Sequence, residues 1–256
     1  MPIPVLQPAS GLADLFVGLG LPVRALRLIF STPRLLGLSL LCAAVTAATL
    51  AALLILLWPI SSRLAQHWVG DGGWRSYAGA GLSALLYLVL LVISALTVPS
   101  LVLAPLQDPL SEATETRLGN FHAPPFSLRR MARGTLASVV HTSSRLVLTV
   151  IGFALLAPLN FVPGVGSALY AGLSTAWAIG WVAAEYLSAP MARHLLPFSS
   201  VLNAMRARPW LALGMGAALY VVLWVPILNC FLVPLAVVAG TILFRALQAL
   251  PSLQGT

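Results

Sequence analysis

The sequence predicts an all-α membrane protein, with two long transmembrane helices followed by two helical hairpins tipped by Pro and Asn. Its 256 residues are 59% hydrophobic and only 8% charged, whereas soluble domains carry roughly a quarter charged residues. Two apolar runs are each long enough to cross about 30 Å of hydrocarbon, and two later apolar stretches are each interrupted by an uncharged bend. We therefore expect a single integral membrane domain over residues 1–256.

Residues 1–34 have the pattern of an amphipathic segment lying at the membrane interface. Ser10 is a candidate N-cap, and Arg24 and Arg27 follow Pro22. The side expected to be apolar carries Leu12, Leu15, Phe16, Leu19, Val23 and Leu26. The first 30 residues lack the ordered charged, apolar and small-residue regions of a cleavable signal peptide, so we expect the first apolar span to be retained.

Two transmembrane helices are predicted over residues 35–60 and 78–103. A polar loop over residues 61–76 separates them, with Trp and Tyr residues at both of its borders, as is typical of membrane interfaces. Residues 105–133 are expected to form a partly helical cytoplasmic connection in water. Three acids there have the spacing of a solvated helix face: Asp108, Glu112 and Glu115.

The two predicted hairpins cover residues 136–186 and 210–247. Their bends, at residues 159–164 and 226–231, both contain Pro, Asn and Phe and no charged residue. Such bends are either short exposed turns between full spans or buried tips of hairpins that penetrate partway, where irregular backbone is tolerated against protein. The length of the helical arms permits both.

The distribution of arginine predicts the orientation, because cytoplasmic loops carry an excess of basic residues. All fourteen basic residues are Arg. Only Arg63 and Arg75 lie between the two spans, so we expect this loop to face outward and both termini to be cytoplasmic. The arginines on the expected cytoplasmic side are Arg24, Arg27, Arg34, Arg117, Arg129, Arg130, Arg133, Arg193, Arg206, Arg208 and Arg245.

Composition also excludes several classes of function. Without any Lys, the chain has neither a Walker phosphate loop nor a Schiff-base amine. The four His residues show no i, i+4 pairing and the two Cys no ligand spacing, so we expect no metal site and no cofactor. No nucleophile with a neighbouring base is visible, which argues against an enzyme. Because the arginines border apolar runs, we also expect no nucleic-acid partner.

The segment Ser31-Thr32-Pro33-Arg34, directly before the first span, is the candidate anion-binding site. Thr32 suits the N-cap and Pro33 the first helical position, so free backbone N–H groups and Arg34 would meet at the positive end of the helix dipole. Such a helix start binds anions readily. The alternative is that Arg34 only anchors the helix among lipid headgroups.

Glu185 is the acid that falls inside an apolar run, and ionisable groups inside a membrane are candidates for function. Folding the first hairpin at its bend places Glu185 and His141 at similar distances from the tip, with Arg145 about one turn closer. We expect these three residues to form a structural pair or triad. A proton relay is the less favoured alternative because Glu185 lies near its helix end.

Several stretches together resemble the family of the bacterial CysZ sulfate-transport protein and the eukaryotic etoposide-induced membrane protein. They are residues 22–28, residues 32–35, residues 104–112 (Ala-Pro-Leu-Gln-Asp-Pro-Leu-Ser-Glu), residues 184–190 (Ala-Glu-Tyr-Leu-Ser-Ala-Pro) and residues 226–243. Their order and spacing cover most of the chain. This chain departs from the bacterial pattern in two places: it has Arg34-Leu35-Leu36-Gly37 where similar chains carry Gly-Leu-Arg-Arg, and Ser188 where Asp is common.

The resemblance implies two transmembrane helices, two hairpins inserted partway, a homo-oligomer and a place in the bacterial inner membrane. It also implies passage of sulfate, with the anion held near a helix start by N–H groups and arginines. We therefore expect a gradient-driven permease or channel for a small oxyanion, with binding residues Thr32, Pro33, Arg34, Arg24 and Arg27. The alternative is a membrane scaffold that transports nothing and whose arginines contact anionic lipid.

Overall fold

A computed structural model describes residues 11–69, 74–119, 128–223 and 226–248. Within these ranges the chain is almost entirely helical, with short turns and irregular connections and no β-strand, which confirms the all-α prediction. The helices are α1 (Gly11–Ser31), α2 (Pro33–Val69), α3 (Trp74–Leu118), α4 (Leu128–Leu156), α5 (Gly166–Arg193), α6 (Phe198–Ala207), α7 (Pro209–Leu223) and α8 (Pro226–Gln248). A short 3₁₀ helix, Ala157–Phe161, follows α4.

Helix α2 contains the first predicted span but continues beyond residue 60 to Val69. The polar residues placed in a loop are accommodated inside the helix, because Ser61 and Ser62 donate to the carbonyls of Trp58 and Pro59 at 2.9 and 3.0 Å. Most of the predicted loop at residues 61–76 is therefore helical. Its centre, residues 70–73, lies outside the described residues.

Helix α3 contains the second predicted span, residues 78–103, and then runs on to Leu118 without ending at Pro105. The predicted connection over residues 105–133 is thus helical as far as Leu118, and its cytoplasmic position stays a prediction. Leu110, Thr114 and Glu115 have no exposed surface, so packing, rather than water, surrounds one face of the helix end. Residues 120–127 lie outside the described part of the chain.

The first hairpin consists of α4 and α5, joined by the 3₁₀ helix and a turn at residues 162–165. Its bend lies where the sequence predicts it. Gly164 adopts φ +83°, a left-handed conformation that glycine adopts without steric cost. The indole of Trp177 lies where a Cβ on Gly152 would be, so the two arms approach closely near the tip.

The second hairpin, α7 and α8, turns earlier than the sequence predicts. Residues 226–231, expected to form its bend, are the first turns of α8. Pro226 occupies the first helical position, where its missing N–H leaves no hydrogen bond unmade. The connection at residues 224–225 lies outside the described residues, as do the side chains of Asn229, Cys230 and Phe231.

The chain divides into two compact units, residues 40–106 and residues 1–39 with 107–256. In the first unit, the Tyr87 hydroxyl of α3 donates to the Leu54 carbonyl of α2 at 3.2 Å. The Tyr87 ring also packs edge-on against Trp58 with 5.5 Å between ring centroids. These contacts pair the two helices within that unit.

The second unit holds the hydrophobic core, to which α1, α5, α7 and α8 contribute. Among its fully buried side chains are Leu21, Leu187, Met215, Leu219, Leu232 and Phe244. Helices α1 and α7 meet through Gly18 and Gly214, where an added Cβ would overlap a backbone carbonyl of the other helix. Helices α5 and α8 meet in the same way at Gly240.

The described surface carries many large apolar side chains, as expected where lipid is the solvent. Ile55, Leu155 and Phe161 are 72%, 74% and 88% exposed. Two of the described helices are long and apolar enough to cross a membrane, Pro33–Val69 and Val139–Phe161. Shorter apolar helices cover Tyr77–Leu91, Pro209–Val222 and Leu232–Gln248.

Candidate functional site

The junction of α1 and α2 has the backbone geometry that the sequence predicts. The Thr32 N–H donates to the Ile29 carbonyl at 3.3 Å, closing α1, and the Thr32 carbonyl accepts from Leu36 N–H at 3.0 Å, opening α2. Pro33 follows as the first residue of α2. The first N–H groups of a helix have no partner within it, so those of Arg34 and Leu35 face the space before α2.

Thr32 does not cap this helix with its side chain. Its hydroxyl oxygen is buried and has no hydrogen-bond partner among the described residues. A buried hydroxyl without a partner loses its hydration without compensation. The helix start therefore offers one side-chain donor in addition to its backbone N–H groups.

Three arginines lie on either side of this junction. Arg34 and Arg27 are exposed and Arg24 is half-buried, and the last two are one turn apart on α1. Within the described ranges, none of the three forms an ion pair with an acid, and no contact joins the arginines to one another. Among the described residues no acid compensates their positive charge, so it can attract an anion from solution or from lipid.

The first hairpin brings Arg145 and Glu185 together, as predicted from their distances to the bend. Arg145 Nη1 lies 3.2 Å from Glu185 Oε1, with 23% and 40% of the two side chains exposed. The pair lines a groove of about 330 Å³ between α4 and α5, together with Thr142, Thr149 and Trp181. An ion pair this exposed leaves each charge accessible to groups from outside the protein.

His141 does not join this pair to form a triad. It is buried, its Nε2 lies 3.0 Å from the Leu196 carbonyl oxygen, and its ring packs edge-on against Phe198 with 5.4 Å between centroids. The backbone segment between α5 and α6 thus fixes the imidazole. The geometry assigns His141 to packing at the base of the hairpin.

A second ionic cluster joins α3 to the end of α5, where the sequence predicts a solvated helix face. The Glu115 carboxylate has no exposed surface, contacts the Arg193 guanidinium and lies 3.1 Å from His194 Nε2. Asp108 and Glu112 lie on the same helix. The spacing of the three acids predicts that they share one helix face. It does not predict whether that face is in contact with water or with basic residues of another helix.

A third ion pair, between Asp14 and Arg208, was not predicted. Arg208 Nη1 donates to both carboxylate oxygens of Asp14 at 3.0 and 2.9 Å, and both residues are buried. Arg208 lies between the end of α6 at Ala207 and the start of α7 at Pro209, so this pair ties α1 to the start of the second hairpin. Of these three ionic contacts, the more exposed Arg145–Glu185 pair lines the groove between α4 and α5.

Known proteins match most of the chain, including the junction of α1 and α2. The profile of the family described as "Sulfate transporter CysZ/Etoposide-induced protein 2.4" matches residues 21–234. A protein of Pseudomonas paraeruginosa PA7 named sulfate transporter CysZ is 30% identical over 177 residues, covering 67% of this chain and 70% of the relative. One of the same name from Pseudomonas syringae pv. tomato DC3000 is 28% identical over 192 residues, covering 72% and 73%.

Proposed function

The chain belongs to the family of the sulfate transporter CysZ and the etoposide-induced protein 2.4, and on this basis we propose that it conducts a small oxyanion, with sulfate as the first candidate, across a bacterial inner membrane. The relatives named sulfate transporter support the substrate class. The observation that carries the proposal is the start of α2, where the first N–H groups have no helical partner, the buried Thr32 hydroxyl has no partner among the described residues, and Arg34, which forms no ion pair there, follows one residue after Pro33.

The proposed site acts by electrostatic attraction followed by hydrogen bonding. Arg24 and Arg27 raise the local concentration of anions near the junction. Arg34, the Thr32 hydroxyl and the first N–H groups of α2 then replace part of the hydration shell of the anion, favoured by the helix dipole. Pro33 fixes the helix start, so these donors point in one direction before the anion arrives.

Movement would follow the anion gradient, because the sequence has no nucleotide-binding loop to couple transport to ATP. We also propose that the chain assembles as a homo-oligomer with both termini in the cytoplasm. The mechanism requires no catalytic group. It requires only that the anion be held weakly enough to leave.

Uptake of labelled sulfate into proteoliposomes tests this proposal. Arg34→Ala should lower the initial rate by about tenfold or more, since it removes one charge-assisted hydrogen-bond donor. Arg133→Ala, which removes an exposed arginine of α4, serves as the matched control and should keep the wild-type rate. Wild-type flux equal to that of empty vesicles would remove the proposal.

A gain of function is also predicted at Gly37. A Cβ there meets open space, and the residue lies one turn after Arg34 on the exposed side of α2. Gly37→Arg should add a second cation at i+3 and lower the sulfate concentration at half-maximal flux several-fold. Gly37→Gln adds a long polar side chain without a charge and should leave the sulfate concentration at half-maximal flux unchanged. Equal effects of the two substitutions would show that charge at this position is irrelevant.

The second candidate is a membrane scaffold, favoured by the absence of acid partners for Arg24, Arg27 and Arg34 within the described residues. Unpaired arginines beside a span are also what anionic lipid headgroups attract. Under this alternative, wild-type protein gives no sulfate flux. Substituting all three arginines by Gln would then lower the affinity for vesicles containing phosphatidylglycerol.

A further inference from the structure

The groove between α4 and α5 is separate from the α2 start and has no part in the proposed anion path. Its polar lining consists of Thr142, Arg145, Thr149 and Glu185, and its apolar lining includes Trp181 and Val182. Leu146, which lines the groove, is 63% exposed, and Val150, one turn further along α4, is 59% exposed. The groove therefore combines opposite charges with an open apolar surface.

The Arg145–Glu185 pair leaves hydrogen-bonding capacity on both partners. Their contact uses Nη1 of Arg145 and Oε1 of Glu185. Among the described residues, no other side chain bonds to the remaining guanidinium N–H groups or to Glu185 Oε2. Thr142, one turn before Arg145, is exposed and adds a hydroxyl donor beside the guanidinium. A ligand carrying both charges could bond to both partners without separating them.

The groove lies toward the base of the hairpin and away from its tip. Arg145 is about 21 Å along the helix from Leu159, at 1.5 Å per residue, in a hydrocarbon layer about 30 Å thick. Trp177 and Trp181, packed edge-on with 5.4 Å between ring centroids, lie on the facing part of α5. Tryptophan is typical of the headgroup level, which a long arginine side chain also reaches.

We propose that this groove binds the headgroup of one phosphatidylethanolamine molecule. The phosphate accepts from the free N–H groups of Arg145 and from Thr142, and the ammonium donates to Glu185 Oε2. The acyl chains lie along Leu146 and Val150. Phosphatidylglycerol lacks the ammonium that Glu185 recognises, and the quaternary nitrogen of phosphatidylcholine has no N–H to donate, so both bind more weakly.

Native mass spectrometry of the full chain in detergent tests this assignment, with the three lipids added separately at matched acyl composition. Wild type should bind one phosphatidylethanolamine about tenfold more tightly than phosphatidylglycerol or phosphatidylcholine. Arg145→Gln should weaken both phosphatidylethanolamine and phosphatidylglycerol by a similar factor. Glu185→Gln should remove only the preference for phosphatidylethanolamine, while Arg133→Gln, the control on α4, should change nothing.

Four results would overturn the proposal. The first is equal affinity of the wild type for the three lipids, and the second is retention of the preference for phosphatidylethanolamine in Glu185→Gln. The third is displacement of the bound lipid by excess inorganic phosphate or sulfate. The fourth is a change of oligomeric state in Arg145→Gln without a change in lipid binding. Displacement would assign the groove to a free oxyanion, and the change of oligomeric state would assign it to a second copy of the chain. The comparison of the three lipids on the wild-type protein tests the proposal even if a variant fails to fold.

Discussion

The two carboxylates of Glu115 and Glu185 differ in burial. Glu115 has none of its side chain exposed and contacts two basic residues, whereas 40% of the Glu185 side chain is exposed beside Arg145. The difference is in the opposite sense from the sequence prediction, which places Glu115 in water and Glu185 inside an apolar run. An exposed ion pair contributes little to stability because water screens it. Removing one partner of a buried pair is costly because the remaining charge is left without compensation.

Glu115→Gln should therefore lower the free energy of unfolding by about 3 kcal/mol, because Arg193 and His194, both largely buried, then lose the buried carboxylate charge that they contact. Glu185→Gln is the matched control and should cost no more than about 1 kcal/mol. Unfolding in mixed micelles, followed by circular dichroism, measures both. Equal losses for the two variants would contradict the assigned difference in burial.

The same residues show what sequence could predict of the ionic contacts. The sequence predicts the contact between Arg145 and Glu185, because the position of the bend determines which residues of the two arms lie side by side. Glu115 was placed in water because helical spacing of acids does not reveal what packs against them. Asp14 and Arg208 are 194 residues apart, and no local pattern connects them.

Among the elements, α1 and α7 cross at their closest point through two glycines. A Cβ on Gly214 would overlap the Leu15 carbonyl oxygen, and one on Gly18 would overlap the Leu211 carbonyl oxygen. Small residues at such crossings allow close backbone contact, which drives helix association where lipid surrounds the protein. The crossing also lies close to the Asp14–Arg208 pair along α1.

Gly214→Ala should destabilise the protein by about 1–3 kcal/mol, because the added methyl forces the two backbones apart. Gly20→Ala is the control on α1, where a Cβ meets open space, and should be stabilising by up to about 1 kcal/mol through helix propensity. Thermal unfolding in detergent compares the two variants. A destabilisation in Gly20→Ala as large as that in Gly214→Ala would refute the packing argument.

Element types were predictable from the sequence, and several element ends were not. Apolar runs longer than the hydrocarbon layer are strong signals, and the bend around Gly164 was marked by clustered Pro, Asn and Gly. Helices α2 and α3 pass through the polar and Pro-containing residues that were expected to end them. Serine hydroxyls bonded within α2 and tertiary packing at Leu110 and Thr114 override those local signals.

At the level of the whole molecule, the arrangement of arginines predicts that both termini are cytoplasmic and that residues 61–76 face outward. In a background with Cys42 and Cys230 replaced by Ser, Gly72→Cys should react with an impermeant maleimide added to intact cells. Gln254→Cys should react only after the cells are opened. The reverse pattern would invert the topology and place the proposed anion site on the outer side.

The close contact between α5 and α8 restricts how the two helices can move relative to each other. Pro190 has no N–H to donate to the Tyr186 carbonyl, and Gly240 of α8 is seated against that carbonyl so tightly that no Cβ fits between them. Because residues three and four apart share a helix face, sliding α8 by one turn in either direction would bring Ala236 or Val237, or Leu243 or Phe244, to this contact, and all four carry a Cβ. A slide of α8 along α5 therefore meets a steric barrier at this contact, whereas a change in the angle between the two helices leaves the glycine in place.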